Sequence, residues 1–223
     1  MCGRIAVTLP PDAMAQLFSA QPSNNLPSVP NFNVCPTTQV SVVSLMGGAR
    51  RLAPMRWGFV PSWYKALNDG PLLINARAET IAEKPAFRAA CRTRRCLVPM
   101  DGFYEWLRDG DRKLPYFVTR KDRAPLVCAG IWQDWDHDGE TLSSFAIVTT
   151  DAPAPLSSIH HRCPVVIDRD HWGKWLGEDG HGAAVLMVPP ADDVLVMRRV
   201  STKVNSNRAT GPQLIEPIED EAL

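Results

Sequence analysis

Twenty prolines are spread along the 223 residues of this chain, and no other feature limits its folding as much. Each holds φ at about −65° and removes a backbone N–H, so it ends helices and is kept out of the middle of sheets. Short elements joined by many fixed turns are therefore expected. Strand-like runs dominate. One lies at 4–8, and 39–46 and 50–57 flank Gly47-Gly48, a pattern that predicts a β-hairpin. Further runs lie at 96–99, 102–107, 116–119, 126–135, 143–150, 185–188 and 194–200, with Asp-Gly pairs at 109–110 and 138–139 marking turns.

Helical signals are fewer. Residues 11–19 open with Pro11 and Asp12 and carry apolar Met14, Leu17 and Phe18. A helix broken near Pro85 is expected in 79–90, and another in 168–176. The sequence holds no internal repeat, heptad or low-complexity linker. The expected architecture is a single α+β domain over 1–217, with a curved antiparallel β-sheet or barrel-like core and a few short peripheral helices. An acidic C-terminal tail at 218–223 is expected to fray.

Hydrophobic residues make up 45% of the chain and charged residues 22%, proportions that support one sizeable core. The apolar runs 183–188 and 194–197 are too short to cross a bilayer. The opening residues carry no apolar stretch of the length a signal peptide needs. The expected location is the cytoplasm, on the nucleoid when DNA is bound, or the nucleus in a eukaryote. In a reducing compartment the six cysteines (Cys2, Cys35, Cys91, Cys96, Cys128, Cys163) should be free thiols. The spacing of Cys91 and Cys96 fits no common zinc pattern. Basic and acidic residues balance at 24 each, which argues against coating long nucleic acid but allows a footprint of a few phosphates. Arg88, Arg92, Arg94 and Arg95 cluster; taken alone, the cluster reads as a solvated face.

Cys2 is placed unusually. Methionine is commonly removed before a small residue, and the product would carry an α-amine (pKa about 7.7–8.0) and a thiol (about 8.5) on adjacent carbons. With an aldehyde, such a residue forms a Schiff base that the thiol closes to a five-membered thiazolidine. Alone, however, Cys2 is better read as a chance small residue. The remaining motifs change that. Met-Cys-Gly-Arg opens the chain, and Trp57-Gly58-Phe59-Val60-Pro61-Ser62-Trp63, Ile74-Asn75-Ala76-Arg77-Ala78-Glu79-Thr80, Asp101-Gly102-Phe103-Tyr104-Glu105-Trp106, Ile159-His160-His161-Arg162-Cys163-Pro164 and the stretch from Val200 to Asn205 follow in order. The ordered set resembles the SOS response-associated peptidase (SRAP) family, whose members crosslink abasic sites, from Cys2 to about Pro217.

The resemblance implies catalytic roles for Cys2, Asn75, Glu105 and His160. Asn75, a neutral amide, would hydrogen-bond sugar oxygens and hold the α-amine without competing as a base; on its own it reads equally as a turn residue. The aromatic neighbours of Glu105 would desolvate it for proton transfer, whereas on an alternating strand it would simply face solvent. His160, two residues before Arg and four before Pro, matches the family position better than His161 and would relay protons. Arg4, Arg77 and Arg162 would bind phosphate through their planar forks. Pro36, Trp63 and Tyr64 match wedge positions against stacked bases, although Trp63 also suits core packing and residues 65–71 lengthen that loop. Trp57 and Trp106 are expected in the core. No zinc, nucleotide or flavin cofactor is expected, and the partner is single-stranded DNA with an abasic site, with single- to double-strand junctions as an open alternative. Nothing demands more than a monomer. Two other readings remain open: an N-terminal-nucleophile thiol peptidase, self-cleaving or otherwise, and a non-covalent module for damaged single-stranded DNA.

Overall fold

The structure, a computed structural model, describes residues 2–218. The tail expected at 218–223 lies outside the described residues except for Ile218. In chain order the strands are β1 (Ile5–Val7), β2 (Gln21–Pro22), β3 (Asn31–Val34), β4 (Gln39–Met46), β5 (Ala49–Trp57), β6 (Asn75–Arg77), β7 (Arg95–Met100), β8 (Gly102–Asp109), β9 (Arg112–Arg120), β10 (Leu126–His137), β11 (Glu140–Asp151), β12 (Arg162–Pro164) and β13 (Leu195–Arg199). The helices are short: α1 (Pro11–Phe18), α2 (Arg88–Thr93), α3 (Ala154–Ser157) and α4 (Trp172–Leu176).

Strands β11, β10, β7, β4 and β5 pair antiparallel in that order, and β5 returns to β11 in parallel through Arg56 opposite Ser144 and Trp57 opposite Phe145. The ring closes as a five-stranded barrel, which leaves these strands no open edge. Its β4–β5 hairpin turns at Gly47 and Gly48, whose φ of 59° and 78° suits the primed turn that matches strand twist. Val42, Leu52, Met55, Trp57, Leu97, Ile131 and Phe145 are fully buried in the main core.

A second sheet, ordered β13-β9-β8-β1-β3, packs on the barrel. Side chains alternate across it. Ile5, Val7, Phe103 and Val118 join the main core, while Ala6, Tyr104 and Phe117 face a smaller cluster with Val200, Val204 and Leu214. Only β1 and the first half of β8 are buried at successive positions, covered on both faces. Glu105 shares the parity of Phe103 and so points toward the barrel side.

The α+β architecture and barrel-like core are as expected, but several elements differ. Residues 185–188 do not form a strand: Ala183–Leu186 is a 3-10 turn, and Pro189 and Pro190 follow it, so a ladder cannot form there. The helix expected at 79–90 is a run of turns, with α2 starting only at Arg88, after Pro85. Strands β2, β3, β6 and β12 were not expected, each having only two to four residues in which to display a period of two.

Candidate active site

Two elements from different sheets meet at Cys2. Just ahead of β1, the chain is fixed by the Tyr104 N–H donating to Arg4 O at 2.9 Å. Across the seam, β6 runs parallel to β11 with Asn75 opposite Ile147. Ile147 N–H donates to Ile74 O at 3.0 Å, and Ala78 N–H to Thr149 O at 2.8 Å. From that fixed strand the Asn75 Nδ2 donates to Cys2 O at 2.8 Å. One side-chain amide thus joins the barrel to the second sheet at Cys2.

Cys2 is fully buried, and Glu105 is only 3% exposed. Burial pushes the Cys2 thiol well above its ordinary value, and the Glu105 carboxylate and Cys128 push the same way, while an Arg4 backbone N–H opposes them. Cys2 is therefore held as a neutral thiol near pH 7. The Cys163 thiol of β12 is pushed up to about 12, first by burial and in smaller part by Asp151 and Glu105, with Arg162 opposing. Glu105 thus acts electrostatically on both Cys2, ahead of β1, and Cys163 of β12.

His160 precedes β12 and is half-buried. Its Nδ1 accepts the Arg162 N–H at 3.0 Å and lies 3.2 Å from Arg162 O. Both contacts run to the backbone of one residue, Arg162, which fixes the His160 ring just ahead of β12. His161 is exposed and stacks on His160 with ring centroids 4.6 Å apart.

The three arginines are placed differently. Arg77 is exposed. The Arg4 Nη1 donates to Asn33 Oδ1 at 2.5 Å and Val204 O at 3.1 Å, and its guanidinium lies 5.9 Å from the Trp106 ring centroid. Arg162 is 6% exposed. Its fork takes both oxygens of Glu79 at 2.9 Å, Asp151 Oδ1 at 2.7 Å and Thr149 O at 2.7 Å. In turn it holds the Glu79 carboxyl below its ordinary value, mainly by hydrogen bonding. Glu79 and Asp151 were not singled out in the sequence. Glu79 lies in the same motif as Asn75, but Asp151 is recognisable only from the register that sets it opposite Arg162.

Asn75 and Arg77 line an open groove of about 590 Å³ with Trp63, Leu73, Thr80, Lys84 and Phe87. Trp63 is 55% exposed on this rim rather than in the core, and its ring lies edge-on to Tyr64 at 6.5 Å. Pro36 is half-buried beyond β3. Trp57 is core, as expected, but Trp106 is half-buried, with its Nε1 donating to Asn205 Oδ1 at 2.6 Å. Trp106 shares the parity of Tyr104 and packs against the smaller core cluster, but at its edge beside Arg4, so it is only partly buried.

Residues 1–207 match the family model described as SOS response associated peptidase (SRAP). The abasic site processing protein YoaM of Bacillus subtilis is 36% identical over 84% of this chain and 85% of its own. The abasic site processing protein YedK of Escherichia coli is 31% identical over 98% of this chain and 100% of its own. HMCES of Pongo abelii, which carries the same description, is 30% identical over 98% of this chain and 77% of its own. A crystal structure of a Bacteroides thetaiotaomicron protein shares the fold, with a TM-score of 0.86 over 98% of this chain and 100% of that chain at 24% identity.

Proposed function

The chain belongs to the SOS response associated peptidase (SRAP) family, and from that premise we propose that it processes abasic sites in DNA by capturing them covalently on Cys2. The observation that carries this reading is the Asn75 Nδ2 bond to Cys2 O at 2.8 Å, made beside a buried Glu105 that acts on the same thiol.

In this reading, loss of Met1 frees the Cys2 α-amine, which attacks the aldehyde of the ring-opened deoxyribose. The carbinolamine loses water with a proton supplied by His160 or Glu105, and an imine forms. The Cys2 sulfur then adds to the imine carbon, and its proton ends on the nitrogen. The sum is one new C–N bond, one new C–S bond and one water released. Asn75 holds the Cys2 main chain so that amine and thiol approach the same carbon. The groove with Arg77 and Trp63 would seat the strand in single-stranded form.

A thiol peptidase, the other chemistry suggested by the family description, relies on a depressed thiol pKa. With Met1 in place, burial pushes the Cys2 thiol the opposite way, so it is not activated for attack on a peptide bond there.

The test is a denaturing gel after incubation with a uracil-containing oligonucleotide treated with uracil glycosylase. The expected result is a heat-stable adduct that N-terminal acetylation abolishes. Cys2→Ser should give only an imine that needs borohydride to survive. A stable adduct from acetylated protein would contradict the proposal.

A further inference from the structure

Lys84, Arg88 and Arg92 recur at intervals of four in the segment that runs into and through α2. That segment is already wound into turns. Lys84 N–H donates to Thr80 O at 3.0 Å, Arg88 N–H to Lys84 O at 2.9 Å and Cys91 N–H to Phe87 O at 2.8 Å. Residues four apart on such turns share a face, with about 6 Å of rise between them. Phe87 and Ala90 point into the core, whereas the three cations are exposed.

The basic cluster seen in the sequence is thereby divided. Arg94 donates to Gln133 Oε1 at 3.0 Å, and Arg95 to Trp175 O at 2.5 Å and Cys91 O at 3.0 Å. These two have structural work. Arg88 and Arg92 hold no ion pair among the described residues, nor does Lys84. Lys84 also lines the groove beside Asn75 and Arg77, so the row begins at the candidate site and leads away from it.

We propose that Lys84, Arg88 and Arg92 form a track for the sugar-phosphate backbone of the DNA strand on one side of the abasic site. The inference rests on the reading of the groove given above and adds up to three phosphates to the footprint. A rise of about 6 Å per step is comparable with the phosphate repeat of an extended single strand. Exposed cations that hold no protein partner exchange readily for the counterions of such a strand. In a chain of zero net charge, a row of three aimed at the groove favours a strand lying in one direction over general attraction to nucleic acid.

The experiment uses the full chain and oligonucleotides bearing a tetrahydrofuran analogue of the lesion, which has no aldehyde to react. Extending the oligonucleotide on one side only should tighten binding to the wild type. Arg88→Gln/Arg92→Gln should bring that extended-to-short affinity ratio near one. It should also reduce the salt slope by about 1.4, at about 0.7 per single-strand phosphate contact. Lys121→Gln/Arg123→Gln, which removes the same charge from the turn after β9, should change neither. An unchanged length advantage in the first variant, or an equal loss in the second, overturns the track. Failure of the wild type to crosslink a short, reactive abasic oligonucleotide would instead overturn the reading of the site, which this non-covalent measurement does not test.

Discussion

Asn75 occupies a position where one hydrogen bond holds the main chain of Cys2, the proposed nucleophile. A neutral hydrogen bond is worth about 0.5–1.5 kcal/mol, but misplacing a reacting group costs more than the bond itself. Asn75→Ala should therefore slow adduct formation by about 10–100-fold, measured as the single-turnover rate on a denaturing gel; an unchanged rate would remove Asn75 from the mechanism. At Arg162 the question is stability. Because Arg162 holds the Glu79 carboxyl below its ordinary value, the pair's contribution is fully present above about pH 4.3 and is lost as pH falls through the depressed folded value. The difference in urea midpoint between wild type and Glu79→Gln should be constant near pH 7 and close as the medium is acidified through the depressed folded value. A gap that persists in acid would contradict it.

Among the elements, β8 does most to position the site, because it carries Glu105 and pairs with β1 behind Cys2. Gly102, at its start, has no room for a side chain: an added Cβ would sit 2.3 Å from Val118 O, a backbone atom of the neighbouring β9. Gly102→Ala should therefore destabilise the fold by about 1–3 kcal/mol, read from urea unfolding; a wild-type midpoint would show that the two strands can separate without cost. Strand β4 was legible to the residue, since eight alternating or apolar positions end on a glycine pair. Strand β6 was not, because three residues carry no period and its pairing with β11 is parallel and distant in sequence. The site shows the same division. Cys2, Asn75, Glu105 and His160 could be singled out by ordered motifs, and the structure adds the bond between the first two. The ion pairs of Arg162 with Glu79 and Asp151 depend on strand register, which no local pattern encodes.

At the scale of the whole molecule, the closed barrel and the second sheet place Cys2 at their seam, buried against the core rather than on a loop tip. Buried in this way, the Cys2 thiol is shielded from bulk reagents. A chain of zero net charge should bind with a small phosphate footprint. With Arg77, Lys84, Arg88 and Arg92 engaged, the salt slope for the unreactive analogue should be near −3, and a value near zero or beyond about −6 would contradict that footprint. The central claim is that Cys2 gives both its amine and its thiol to one sugar carbon, and intact mass spectrometry of the adduct tests it most directly. The predicted mass is the chain beginning at Cys2 plus the abasic oligonucleotide minus one water, with the Cys2 sulfur resistant to alkylation after denaturation; an adduct that retains Met1, or one whose Cys2 thiol still alkylates, would contradict it.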